Sequence, residues 1–158
     1  MSDVPRSRLV GPAVLPIATV AVAVVALDAL TKAWARTLVA PRHVVGPLWW
    51  RLQYNQGVSF SWRAGSSTVV TVLTVVVALG VIAVALRSRT GLPATGFGLL
   101  IGGGVGNVVD RMTGTPHRVT DFISVGSFPV FNLADVSVTV GFVLLIVVVL
   151  RGDRLTVR

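Results

Sequence analysis

The sequence predicts an all-α membrane protein with four transmembrane helices. Three observations carry this. Hydrophobic residues fill 53% of the 158 positions and the mean hydropathy is +0.81, more apolar surface than a soluble domain of this size buries. Apolar runs near the roughly 20 residues that a bilayer requires recur at about Val10–Trp34, Thr68–Leu86, Leu92–Val109 and Asn132–Leu150. Only six residues are acidic, all aspartate, and four of these stand at or between span ends.

The elements follow in order. Arg6 and Arg8 precede the first run, as in a signal peptide, but the run is long for an h-region and further spans follow, so it is read as a retained helix. The stretch "LWWRLQYNQGVSFSW" after it mixes aromatics with weak alternation, which suits a short strand or hairpin on the membrane surface. Trp49, Trp50, Tyr54 and Trp62 fit an interfacial belt; Asn55 either shares that bland role or lines the rim of a site. The second and fourth runs are the clearest spans. The third is diluted by Gly102, Gly103, Gly104 and Gly106 before Asn107. No strand precedes these glycines and no Lys-Ser/Thr follows, so they read as close helix packing rather than a phosphate loop. No linker or low-complexity stretch intervenes, and residues 1–158 read as one polytopic domain.

Charge and composition exclude several classes. The net charge of +8 comes from arginines at span ends, the pattern of membrane flanks rather than of a nucleic-acid surface. There is no cysteine, hence no disulfide, thiol nucleophile or thiolate metal site. His43 and His117 have no ligand-spaced partners, so no metal or other cofactor is expected. Basic residues divide seven and seven between the two sides, but those on the side of the termini hug helix ends in short segments. Both termini are therefore expected in the cytoplasm.

Tracing the chain through four spans brings the acids to one level. Asp28 is late in the first helix, Asp110 ends the third, Asp121 lies in the following loop and Asp135 opens the fourth. Charges at membrane depth are costly and mark function. Asp28 and Lys32 are i,i+4 and can pair. Asn107, Asp110 and Arg111 share about one turn. Asn132 and Asp135 are i,i+3 at a helix start, where the dipole favours a carboxylate. Bland readings exist for each: a membrane ion pair, an interfacial clamp at Asp110–Arg111, a cap at Asn132. Two close carboxyls without metal ligands suggest a shared proton and water activation, the chemistry of aspartic peptide hydrolysis. These residues alone leave Asp110 and Asp121 as alternatives for the second acid. Competing readings are a Ser/Lys peptidase using Lys32 with Ser59 or Ser61, a small proton or ion carrier, and a membrane scaffold.

Five ordered pieces then resemble the lipoprotein signal peptidases, the type II signal peptidases of bacteria. They are "DALTK" at Asp28–Lys32, "NQGVSF" at Asn55–Phe60, "GGGVGNVVDR" at Gly102–Arg111, "TDF" at Thr120–Phe122 and "FNLAD" at Phe131–Asp135. The resemblance implies an intramembrane aspartic protease that cuts diacylglyceryl-modified prolipoproteins before the lipidated cysteine. It puts the catalytic pair on Asp121 and Asp135. It implies that Asn107, Arg111 and Asn132 orient substrate or pair, that Asp28 and Lys32 support the site, and that Asn55 faces it. Gly57 and Ala134 lie in the same matched motifs, and Asp110 becomes a structural partner of Arg111. The resemblance also implies a small extracytoplasmic β-cradle and a short outer helix, for which Leu48–Trp62 and Thr113–Phe131 are the candidate regions. The implied partners are prolipoprotein and membrane lipid, with the protein a monomer in the bacterial cytoplasmic membrane and its site near the outer face. Two departures stand out. Thr120 replaces the family's usual valine, read here as a near-isosteric swap, and the stretch between Asp121 and Asn132 is short, which could shrink a flap.

Overall fold

The computed structural model describes residues 13–55, 67–114 and 118–157. Along the chain run α1 (Val14–Ala35), β1 (Arg42–Val45), β2 (Leu48–Asn55), α2 (Ser67–Ala85), α3 (Leu92–Thr113), β3 (Val119–Val125) and α4 (Leu133–Leu150). The helices begin and end close to the expected spans. Among the described residues, α1, α3 and α4 are long and apolar enough to cross a membrane, and Val72–Ala85 of α2 is a shorter apolar helix.

Their outward faces need a nonaqueous solvent. Leu30 of α1 is 67% exposed, Leu79 of α2 60%, Phe142 of α4 59% and Leu150 80%. Aligned along three helices, such faces match lipid rather than water.

Helix α3 lies at the centre, packed between α1 and α4. Its glycines allow the approach. A Cβ at Gly102 would stand 2.7 Å from Val24 Cβ on α1, and one at Gly103 would stand 2.5 Å from the Ala134 carbonyl oxygen on α4. The expectation of glycine-mediated packing holds at these positions. Gly104 differs: a Cβ there meets nothing within 4 Å, because it points away from both neighbours.

The three strands form an antiparallel sheet in the order β1-β2-β3. This is the expected small sheet. Trp50 pairs with Ile123 and Gln53 with Asp121, with a bulge between Trp50 and Gln53. No short helix stands in the candidate regions among the described residues; residues 56–66 and 115–117 lie outside them. The connection from β3 to α4 turns back at once. Phe131 N donates to the Ile123 carbonyl at 3.0 Å, and Ile123 N donates to that of Phe131 at 2.8 Å. This bridge holds the first turn of α4 against β3.

Two apolar clusters bracket the interior. One joins Ala13, Ile17, Ala85, Ala94, Phe97 and Leu145 at the end of the bundle near the described termini. The other joins Ala35, Leu38 and Phe122, with Trp50 packed against it, beneath the sheet. Trp34, Trp50 and Phe122 meet there with ring centroids 5.5 to 6.2 Å apart. Asp28, Lys32, Asp110, Thr120, Asp121 and Asn132, all buried, form a separate polar layer.

Candidate active site

Four elements build this polar layer. Helix α1 presents Asp28 and Lys32 on one buried stripe. The Lys32 ammonium lies 2.7 Å from Asp28 Oδ2 and 3.6 Å from Asp110 Oδ2. It also donates to Asn107 Oδ1 at 3.0 Å. At 2% exposure Lys32 is wholly inside the protein. Burying an ammonium is costly unless partners surround it, and here two carboxyls and an amide do.

The start of α4 is fixed by local chemistry. Asn132 has extended backbone (φ −132°) and caps the helix. Its Oδ1 accepts from Asp135 N at 3.0 Å, while Asp135 Oδ2 accepts from Asn132 N at 3.2 Å. This reciprocal box satisfies two otherwise orphaned donors. A third, the Ala134 N–H, donates to Asp28 Oδ1 at 3.0 Å, tying α4 to α1. Asp135 is therefore a structural cap as well as a candidate catalyst.

Two amide side chains link the carboxyls. Asn107 Nδ2 donates to Asp135 Oδ1 at 2.8 Å. Asn132 Nδ2 donates to Asp121 Oδ1 at 2.7 Å and approaches Asn107 Oδ1 at 3.2 Å. Asp121 lies on β3, opposite Gln53. Its carboxyl is pushed up to about 6, chiefly by burial; the charge of Asp135 adds to the rise, while hydrogen bonds from Asn55 and Asn132 and the charge of Lys32 oppose it. Its Oδ2 is buried and, with Asn55 nearby, makes no hydrogen bond of ordinary geometry among the described residues. Asp135 is half-buried and lines a groove of about 440 Å³ with Phe128, Phe131, Val136 and Val140. One acid is thus sealed and the other opens onto an apolar groove. Such a pair can share a proton and work on a polar bond delivered along that groove.

The predicted residues Asp28, Lys32, Asn55, Asn107, Asp110, Asp121, Asn132, Ala134 and Asp135 all belong to this layer or its edge. Arg111 lies in the field of Asp135, Asp121 and Asp110, in that order. Gly57, Ser59 and Ser61 lie outside the described residues.

Asp110 has partners beyond Arg111: Lys32 and Arg36 both pair with it, while Arg111 lies in its field. Helical phase explains the first two, since Arg36 stands one turn beyond Lys32 on the same stripe and reaches the end of α3. One expectation needs correction: Thr120 is not a passive valine substitute. Its backbone N–H donates to Asp110 Oδ2 at 2.6 Å, and its hydroxyl accepts from Arg36 Nε at 3.3 Å and Nη2 at 3.1 Å. A hydroxyl in a buried polar layer is not equivalent to a methyl. The i+4 spacing from Lys32 to Arg36 was the signal available in sequence.

A helical membrane fold enclosing paired carboxyls beside an apolar groove defines a polytopic membrane enzyme. Two solved structures, both of a bacterial membrane enzyme, agree: TM-scores are 0.74 and 0.75 at 27% and 28% identity. Each comparison covers 90% of this chain, and 90% and 94% of the other. Residues 20–151 match the family described as signal peptidase (SPase) II, and the chain belongs to that family. It is 39% identical over 142 residues to the lipoprotein signal peptidase of Mycolicibacterium smegmatis, covering 85% of this chain and 60% of that protein. The Mycobacterium avium lipoprotein signal peptidase is 38% identical over 142 residues, covering 85% and 78%. The chain thus spans three-fifths of the first relative and over three-quarters of the second.

Proposed function

We propose that the chain is an intramembrane aspartic endopeptidase. It removes the signal peptide from diacylglyceryl-modified prolipoproteins, cutting before the lipid-bearing cysteine. The carrying observation is the pair itself: Asp121 and Asp135, both held by asparagine amides, one sealed and one facing the groove. The substrate class follows from the family. In this reading the chain is a monomer that needs no cofactor. It forms one domain that crosses the bacterial cytoplasmic membrane four times, α2 included, with both termini inside and the pair near the outer face.

The pair holds one proton between its two carboxyls. The ionised partner takes a proton from water as the water oxygen bonds to the scissile carbonyl carbon. The protonated partner donates to the carbonyl oxygen. Collapse breaks the C–N bond and a proton passes to the departing amine. A lipid anchor in the outer leaflet fixes the depth of the scissile bond, so orientation comes from the membrane as well as from the protein. A Ser/Lys mechanism has less support, because Lys32 is bound by Asp28, Asp110 and Asn107; an ammonium so held lacks the lone pair that a general base requires.

The test is gel-shift cleavage by the purified protein in detergent, using one precursor with and without its diacylglyceryl group. Cleavage of the lipidated form alone is expected. Equal cleavage of both forms would remove the lipid from the recognition, and cleavage of neither would remove the reading.

A further inference from the structure

We propose that Lys32 is a positioning residue that fixes the orientation of the Asn107 amide, and thereby leaves the resting proton of the pair on Asp121 and makes Asp135 the carboxylate that deprotonates water. This rests on the acid-pair reading above.

The argument begins with donors that cannot accept. An ammonium has protons and no lone pair, so the Asn107 atom 3.0 Å from Lys32 Nζ must be the amide oxygen. Its NH2 group is then the end that faces Asp135 Oδ1 at 2.8 Å. The Asn132 amide is locked by the same logic. The Asp135 backbone N–H only donates, so Asn132 Oδ1 must face it, and Asn132 Nδ2 turns to Asp121. Amide orientation is here a consequence of fixed chemistry rather than a choice.

The two carboxyls are then unequal. Asp135 accepts at both oxygens, from Asn107 Nδ2 and from Asn132 N. Asp121 accepts from Asn132 at Oδ1 and has Asn55 nearby, but its Oδ2 makes no bond of ordinary geometry among the described residues. A proton on Asp121 Oδ2 therefore disturbs little. A proton on Asp135 would weaken an accepted bond at whichever oxygen carried it. The raised titration of Asp121, to about 6, agrees with this placement. The groove gives the same division, since Asp135 lines it and Asp121 does not. Among the described residues, the charged groups around the pair include Asp28 and Lys32 from α1, Arg36 just beyond it, Asp110 and Arg111 from α3, and the two acids themselves on β3 and α4. Lys32 bonds Asn107 directly.

The test is the pH dependence of lipidated-precursor cleavage by wild type, Lys32→Met, Asp28→Asn/Lys32→Met and Asp135→Asn. The double variant removes the carboxylate that the single one leaves unpaired, while its residue-28 amide oxygen can still accept from Ala134 N. Without the ammonium the Asn107 amide can turn, and Asp135 loses its NH2 donor. The acidic limb of kcat/KM should then move up by about one pH unit, with KM near the wild-type value. A pH-independent fall in kcat with the limb unmoved would overturn the proposal. If Asp135→Asn still cleaves, the acid-pair reading itself fails. Should neither Lys32 variant fold, infrared difference spectra at pH 5 decide: the protonated-carboxyl band should vanish in Asp121→Asn and persist in Asp135→Asn, and the reverse pattern would overturn the assignment.

Discussion

Gly103→Ala should break the central helix contact, and Gly104→Ala should not. A Cβ at Gly103 would sit 2.5 Å from the Ala134 carbonyl oxygen and 2.8 Å from Val138 Cγ2. Ordinary contact begins near 3.5 Å, so α3 and α4 would have to part by roughly 1 Å. The first obstacle is backbone, which cannot rotate away. Overpacking of this kind costs about 1–3 kcal/mol, and the backbone clash puts Gly103 at the upper end. Gly104 meets nothing within 4 Å, so its added methyl should be neutral or stabilise the helix by about 0.5–1 kcal/mol. Thermal unfolding in one detergent, followed by tryptophan fluorescence, measures both. Cleavage adds a second readout. A shift of about 1 Å in the turn that carries Asp135 should lower kcat about 100-fold, a loss that Gly104→Ala should escape. Equal melting temperatures for the two variants would refute the packing argument, and so would a Gly104→Ala variant as destabilised as Gly103→Ala.

Other substitutions probe the polar layer. Thr120→Val removes the hydroxyl that accepts from Arg36 and should cost about 1 kcal/mol in thermal or denaturant unfolding; no measurable cost would restore the isosteric view. Asp28→Ala leaves Lys32 with only the more distant carboxyl of Asp110 and frees the Ala134 N–H, so a loss of about 3–5 kcal/mol is expected in the same assay. Asp121 supplies a pH prediction. Its folded value of about 6 lies above the ordinary 3.8, mainly because burial penalises the charge. Its contribution to stability is complete below pH 3.8 and is lost as pH rises through 6. The melting temperature of Asp121→Asn relative to wild type should therefore be higher at pH 7 than at pH 4, and a constant difference would contradict the raised value.

Much of this was legible in the sequence. The apolar runs set the helix positions because each span needs unbroken hydrocarbon contact. The convergence of Asp28, Asp110, Asp121 and Asp135 followed from counting crossings. What remained hidden depended on side-chain reach and strand register. Asp121 comes near the α4 turn through the Phe131–Ile123 bridge, a pairing that sequence does not display. Arg36 likewise reads as an ordinary membrane flank until its helical phase carries it to Asp110. Gly104 could not be told from its packed neighbours, because which way a helical residue points depends on where the other helices stand.

Cleavage of one diacylglyceryl-modified precursor by wild type, Asp121→Asn, Asp135→Asn and Asp110→Asn, each verified as folded by its melting curve, tests the central claim most directly. The account predicts product from wild type and reduced but measurable product from Asp110→Asn, which keeps both members of the pair. It predicts none from Asp121→Asn or Asp135→Asn. Product from either of those two at the wild-type rate would contradict it.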